Sequence, residues 1–178
     1  MDGPWVTNTL EPHDILSGGV ITLATTFKAI APTVILPNMA NYFSYVGKTC
    51  HMKWMGKTTS GATPGSLGVG VNYGSNADNA GSTLGSVQST WTANDANYTF
   101  IVDFWCQCKQ IGAVNGSIVG MGVAFFQGIG FFPFNYNTLP AVTAIDTTAS
   151  NYFSLQMYRT GSTAETAQMI DFWFESIN

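Results

Sequence analysis

The strongest constraint on the fold is an alternation of apolar and polar residues with a period of two. Within Tyr98–Cys108 every second residue is apolar, namely Tyr98, Phe100, Val102, Phe104, Cys106 and Cys108. Successive side chains of a β-strand point to opposite faces of the sheet, so this series predicts a strand with one fully apolar face. No stretch of ten residues shows the 3.6-residue period of an amphipathic helix. The chain is therefore predicted to be all-β.

The same alternation recurs along most of the chain. It predicts further strands at Val20–Ala24, Lys48–Lys57, Leu67–Tyr73, Ser82–Thr90, Tyr152–Arg159 and Gln168–Ile177. Clusters of Gly, Asn, Ser and Thr separate these strands, as is typical of turns. Eight or nine short strands with polar loops favour a two-sheet sandwich, and the jelly roll is the common form at this length. We expect one jelly-roll domain over residues 19–178, preceded by an extended arm over residues 1–18.

The segment Ile118–Phe134 is uncharged and apolar enough to suggest a membrane-spanning helix. However, several glycines and Pro133 interrupt it, and no Lys or Arg flanks it. Its alternation instead predicts a strand in which one face carries the small residues Gly120, Gly122 and Ala124 beside Ile118, followed by a Gly-rich loop. We therefore expect no membrane partner.

Charged residues make up only 9% of the chain, and six Lys and Arg residues leave a net charge of −4. So few cations cannot neutralise a phosphate backbone, which excludes nucleic acid as an expected partner. Apolar side chains also occur on the second face of two predicted strands. Because interface cores are poor in charge and rich in aromatic residues, we predict an oligomer whose subunits meet at Trp105, Phe172 and Trp173. The alternative is that these residues cover loops of their own chain.

The first sixteen residues show no sustained alternation. Four apolar side chains in this arm, Trp5, Val6, Leu10 and Ile15, are predicted to contact another protein, and the alternative is a tail wrapped on its own chain. The opening residues do not resemble a secretory signal, which leads us to expect synthesis in the cytoplasm.

Residues suited to catalysis are few. His13 and His51 are the only histidines, and neither a nucleophile elbow nor a zinc-protease motif occurs. Cys50, Cys106 and Cys108 lack the spacing of a zinc site and are expected to be small apolar core residues. The Asn- and Asp-rich loops lack the regular ligand spacing of a calcium-binding loop. We predict no catalytic residue, metal or cofactor, and hence no enzyme.

Carbohydrate binding is the strongest competing function. Tyr73, Trp91 and Tyr98 lie near Asn-rich loops, and four further aromatics, Phe131, Phe132, Phe134 and Tyr136, crowd one loop. Exposed aromatic rings can serve as stacking platforms for sugars. The alternative, which we favour, is that these rings plug the ends of the sandwich.

Several short motifs resemble those of small jelly-roll virion proteins of tailed bacteriophages. They are Ile35–Phe43 leading into Val46–Thr49, the turn Ala62–Pro64, the Gly-Val strand Leu67–Val71, the aromatic strand Tyr98–Lys109, the step Asp146–Ala149 and the final strand Gln168–Asn178. The resemblance covers the pattern from Gly19 to Asn178.

The resemblance implies a trimeric jelly roll in the virion and brings no catalytic residues with it. We expect a capsid decoration (cement) protein on the capsid surface, which binds the major capsid protein through the arm and stabilises the phage head. The alternative is a receptor-binding knob of a fibre or spike that contacts host glycans.

Overall fold

The computed structural model describes residues 20–30, 42–74, 81–134, 142–149 and 151–177. These residues form strands and no helix, so none of them forms a helix long and apolar enough to cross a membrane. The strands are β1 (Ile21–Thr22), β2 (Lys28–Ala29), β3 (Thr49–Thr59), β4 (Ser66–Gly74), β5 (Gly81–Thr90), β6 (Tyr98–Gln110), β7 (Gly116–Phe126), β8 (Gly130–Pro133), β9 (Val142–Ile145), β10 (Tyr152–Arg159) and β11 (Thr166–Ile177). The all-β prediction is confirmed.

The strands form two antiparallel sheets that pack face to face. The larger has seven strands in the order β1-β11-β3-β6-β7-β8, with β9 also pairing with β7, and the smaller has the order β2-β10-β4-β5. This arrangement confirms the two-sheet jelly-roll sandwich. The predicted arm lies outside the described residues, and the trimer stays a prediction.

The core lies between the two sheets, where the apolar series found in the sequence meet. In β6 the predicted apolar face is buried, from Phe100 to Cys108, and in β3 Cys50, Met52 and Trp54 are buried beside it. The smaller sheet contributes Leu67, Val69, Val71 and Tyr73 from β4. Full burial of each large apolar side chain contributes about 1.5–3 kcal/mol. The alternation within each strand therefore determines which of its faces points into the core.

The outward side of β4 is also buried, which distinguishes the smaller sheet from the larger one. A Cβ atom at Gly68 would overlap the ring of Tyr158, and one at Gly70 would lie 3.1 Å from Phe27. The rings of Phe27 and Tyr158 pack edge to face at 4.6 Å, and the Tyr158 hydroxyl lies 2.6 Å from Oε1 of Gln88. The chain itself thus covers this part of the smaller sheet.

A bulge in β11 corrects the predicted position of Phe172. Met169 pairs with Gly56 and Asp171 pairs with Met55, so Ile170 is an extra residue that shifts the alternation. Phe172 consequently lies on the inner face, 9% exposed, with its ring 5.4 Å from that of Trp54. Since its own chain buries it, Phe172 does not belong to the face that carries Trp105 and Trp173.

Candidate functional site

The site of interest is the outer face of the larger sheet, formed by the side chains of β11, β3, β6 and β7 that point away from the smaller sheet. Strand register aligns them in rows across the sheet. One row runs Glu175, His51, Trp105, Met121, and the next runs Trp173, Lys53, Asp103, Val123. The rows thus combine residues that are up to 124 positions apart in the chain.

His51 lies at the centre of these rows and contacts both carboxylates. Its Nε2 is 2.7 Å from Oδ1 of Asp103, and its Nδ1 is 3.9 Å from Oε2 of Glu175. Lys53 adds a positive charge, with Nζ 3.5 Å from the other oxygen of Asp103. Four titratable side chains from three adjacent strands therefore form one connected polar cluster.

Two indole rings enclose the imidazole of His51. The ring of Trp105 is stacked on it, with the ring centroids 3.9 Å apart and the planes 9° from parallel. Trp173 meets it edge to face at 4.7 Å. The His51 side chain is only 13% exposed, whereas Trp105 is 39% exposed. One side of the Trp105 indole is therefore fixed by the cluster, and much of the ring is open to solvent.

The contact with Asp103 sets which nitrogen of a neutral His51 is free. If Nε2–H donates its hydrogen bond to the carboxylate, Nδ1 carries a lone pair on the side of Glu175. A protonated ring would instead have one carboxylate beside each nitrogen. The arrangement can thus hold a proton-accepting nitrogen in a fixed orientation, which is the geometry of an oriented general base.

A shallow depression lies beside Trp105, where β3, β6 and β7 run next to each other. It is lined by Thr49, Trp105, Cys106, Gln107, Lys109, Val119 and Met121. Gln107 Nε2 reaches Thr49 Oγ1 at 3.2 Å, and Lys109 donates a hydrogen bond to Gln107 Oε1. The depression therefore combines the Trp105 indole, the apolar side chains of Val119 and Met121, and a connected group of hydrogen-bonding side chains.

The part of the outer face that β7 and β8 form is apolar. Met121 is 50% exposed, Val123 41% and Phe131 72%, and Phe125 packs on Phe131 with the ring centroids 4.7 Å apart. Exposed apolar residues that form a continuous patch are typical of contact surfaces. The outer face thus has a polar half on β11, β3 and β6 and an apolar half on β7 and β8.

The structure brings together only part of the predicted site residues. Trp105 and Trp173 share the outer face and both contact His51. The predicted arm residues Trp5, Val6, Leu10 and Ile15 lie outside the described residues. His51 and Glu175 were not predicted as site residues, because the sequence shows each only as a polar residue of a strand.

The aromatic residues considered for sugar binding are mostly internal. Tyr73, Trp91 and Phe134 are buried in the core, as the favoured alternative predicted, while Phe131 is exposed. Tyr136 lies outside the described residues. Where the structure describes side chains, no group of three His, Cys, Asp or Glu residues is arranged to hold a metal ion.

Comparisons with known proteins gave matches only among solved structures. No family model matches the chain, and no curated protein matches it. One similar structure is the marine PL-14 alginate lyase from Aplysia kurodai, with 9% identity and a TM-score of 0.35 over 74% of this chain and 70% of that chain. Another is a double mutant of alginate lyase Aly36B in complex with alginate trisaccharide, with 9% identity and a TM-score of 0.37 over 89% of this chain and 81% of that one.

These structures correct two expectations from the sequence. The similar structures are enzymes, alginate lyases, and not phage virion proteins. The expected function as a capsid decoration protein is therefore wrong, and so is the expectation that the chain is no enzyme. The family resemblance drawn from short motifs stays a prediction. Such low sequence identity bears on the fold alone, so the function depends on the residues of the outer face.

Proposed function

We propose that the outer face of the larger sheet binds a carbohydrate chain. The observation that carries the proposal is the Trp105 indole, which is 39% exposed and fixed from behind by its stacking on His51. A sugar ring presents C–H groups on one face and hydroxyl groups around its rim. A rigid, flat indole can stack on the C–H groups, and neighbouring amide, hydroxyl and charged groups can form hydrogen bonds with the hydroxyl groups.

The polar groups lie where sugar hydroxyls would need them. Asp103, at 30% side-chain exposure, and Glu175, at 21%, retain access to solvent, so their oxygens can accept hydrogen bonds from hydroxyls. Gln107, Thr49 and Lys109 line the depression on the other side of Trp105. Donors and acceptors therefore flank the indole on both sides along β6.

The shape of the site favours an extended ligand. The rows cross four adjacent strands of one sheet, and the side chains beside Trp105 that line the depression belong to three of these strands. A small molecule is usually held in a concave pocket that buries most of its surface. An open face with a platform and hydrogen-bonding groups on either side suits several consecutive sugars of a polysaccharide.

A second candidate function is cleavage of the bound chain by β-elimination. The observation that favours it is the 2.7 Å contact that orients His51 on Asp103. In this reaction a base removes the proton on the carbon next to a uronate carboxyl group, the glycosidic C–O bond breaks as a double bond forms, and the leaving oxygen takes up a proton from water. Nδ1 of His51 would accept that proton, and the adjacent carboxylates would stabilise the resulting imidazolium.

The experiment compares wild-type protein with Trp105→Ala and with Phe131→Ala, an exposed aromatic at the edge of the same sheet. Affinity electrophoresis in gels containing alginate, a neutral β-glucan or chitosan measures binding. We expect Trp105→Ala to weaken binding about ten-fold or more, which corresponds to about 1.4 kcal/mol. Phe131→Ala should bind as the wild type does. Equal loss in both variants, or no binding to any polysaccharide, would refute the proposal.

The same incubations test cleavage through the ultraviolet absorbance of the unsaturated product. His51→Gln keeps an amide that can donate to Asp103 but removes the basic nitrogen. Cleavage by His51 predicts that this variant loses turnover even at saturating polysaccharide, where any weaker binding caused by the lost stacking on Trp105 does not limit the rate. Absence of an unsaturated product from wild-type protein on alginate and other uronate chains would exclude the second candidate and leave the binding function standing.

A further inference from the structure

Two buried cysteines face each other across β3 and β6. Cys50 pairs directly with Cys106 in the strand register, and their sulfur atoms are 2.7 Å apart, inside the van der Waals contact of two sulfurs. Cys50 is fully buried and Cys106 is 2% exposed. Cys108, two residues further along β6, instead lies 3.5 Å from the carbonyl oxygen of Gln110.

We propose that Cys50 and Cys106 form a cross-strand disulfide and that Cys108 remains a thiol. Directly opposed residues of antiparallel strands have Cα atoms about 4.5–5.5 Å apart, which falls within the roughly 4.4–6.8 Å that disulfides require. The Cα spacing expected for this pair is therefore compatible with a disulfide. A bond between Cys106 and Cys108, neighbours on one strand, would be strained.

The oxidant is a low-molecular-weight disulfide such as oxidised glutathione. One cysteine thiolate attacks it and releases one glutathione, and the second thiolate then attacks the mixed disulfide and releases the other. The two protein thiols lose two electrons and two protons in total, and the glutathione disulfide is reduced to two thiols. No other co-reactant is needed.

Burial determines when this reaction can occur. Desolvation raises the pKa of the Cys106 thiol well above its ordinary value, and the thiolate is the form that attacks a disulfide. The enclosed position also excludes the oxidant. Exchange in the folded protein is consequently slow, and the redox conditions during folding decide whether the bond forms.

The position of the bond links it to the outer face. Cys50 and Cys106 immediately precede and follow His51 and Trp105 in their strands, and they point to the opposite side of the sheet. The disulfide would tie β3 to β6 directly beneath the stacked pair. It would also close a loop between positions 56 residues apart, which stabilises the folded chain by restricting the unfolded one.

The test refolds the denatured, reduced protein in a mixture of oxidised and reduced glutathione. Denaturation in the presence of iodoacetamide then labels every free thiol, and mass spectrometry counts the labels. We expect one labelled cysteine, Cys108, in the oxidised wild type and three after reduction with dithiothreitol. Cys108→Ala should still form the bond and carry no label. Cys50→Ala should carry labels at both remaining cysteines.

Three labels on the refolded wild type, or glutathione attached to Cys50 or Cys106, would overturn the proposal. A second measurement, the urea midpoint of unfolding, tests the proposal in variants that fold poorly. The urea midpoint of the wild type should be higher in its oxidised form than in its reduced form. The same comparison in Cys50→Ala should show no difference, and a difference that persists in this variant would contradict the assignment.

Discussion

At the scale of single residues, Asp146 shows how a carboxylate stabilises a turn. Its Oδ1 accepts hydrogen bonds from the Thr148 hydroxyl at 2.7 Å, from the Thr148 amide at 2.9 Å and from the Ala149 amide at 3.0 Å. These donors favour the ionised form, so the pKa of Asp146 is lower than the ordinary value, chiefly because of the Thr148 hydroxyl.

This lowered pKa predicts a pH dependence that Asp146→Asn removes. The folded pKa lies below the unfolded one, so ionised Asp146 adds stability above the ordinary Asp pKa of about 3.9. That contribution is lost as the pH falls through the folded pKa. We expect the difference in unfolding free energy between wild type and Asp146→Asn to shrink on acidification, as followed by urea unfolding from neutral to acidic pH.

Thr148→Val serves as the matched variant, because it removes the hydroxyl donor and keeps the shape of the side chain. It should reduce the pH dependence without abolishing it, since the two amide donors remain. A difference between wild type and Asp146→Asn that stays constant with pH would show that the hydrogen bonds of this turn do not favour the charged form.

Single residues also show where the sequence is insufficient. The sequence placed His51 on the polar face of a strand, and the structure agrees. Its contacts with Asp103 and Glu175 depend on the register between strands, which no local pattern specifies. For the same reason, the sequence does not show which acid each cation contacts, whereas the structure pairs Lys53 with Asp103 and Arg159 with Glu165.

At the scale of strands, prediction succeeded where alternation is long and uninterrupted. The predicted strand Tyr98–Cys108 lies within β6, and Tyr152–Arg159 coincides with β10. The short strand β8 was predicted as a loop because Gly130 and Pro133 bound it. In β11 the bulge at Ile170 inverted the faces assigned to residues on one side of it, since a strict period of two cannot register an inserted residue.

The small residues of strand β7 let the two sheets approach each other. A Cβ atom at Gly120 would lie 2.4 Å from Cζ of Phe104 and 3.1 Å from the carbonyl oxygen of Leu84 in the smaller sheet. Neither ring nor backbone has free space, as Phe104 is fully buried. We expect Gly120→Ala to lower the free energy of unfolding by about 1–3 kcal/mol, measured by urea denaturation.

The matched comparison is the double variant Gly120→Ala with Phe104→Leu. A smaller side chain at Phe104 makes room for the new methyl group, so the double variant should lose less stability than the sum of the two single variants. Additive losses would mean that the contact with Phe104 is not what restricts Gly120.

At the scale of the whole molecule, the two halves of the outer face suit different partners. The polar half holds the cluster around His51, and the apolar half exposes Met121, Val123 and Phe131. The smaller sheet has less exposed surface available for partners, since Phe27 and Tyr158 cover β4 from outside. The sequence predicted a subunit contact at Trp105 and Trp173, but these residues lie in the polar half that carries the proposed ligand site. We therefore expect the contact on β7 and β8 instead.

The predicted trimer, with its contact in the apolar half, can be tested through the mass of the protein in solution. Size-exclusion chromatography with multi-angle light scattering should give a mass of about 57 kDa, three times 19.1 kDa. Val123→Asp places a charge in the apolar half and should yield monomers that still bind polysaccharide. Val114→Asp, at an 81% exposed position in the β6–β7 turn, should remain trimeric. A wild-type mass near 19.1 kDa would refute the trimer, and loss of assembly in both variants would place the contact elsewhere.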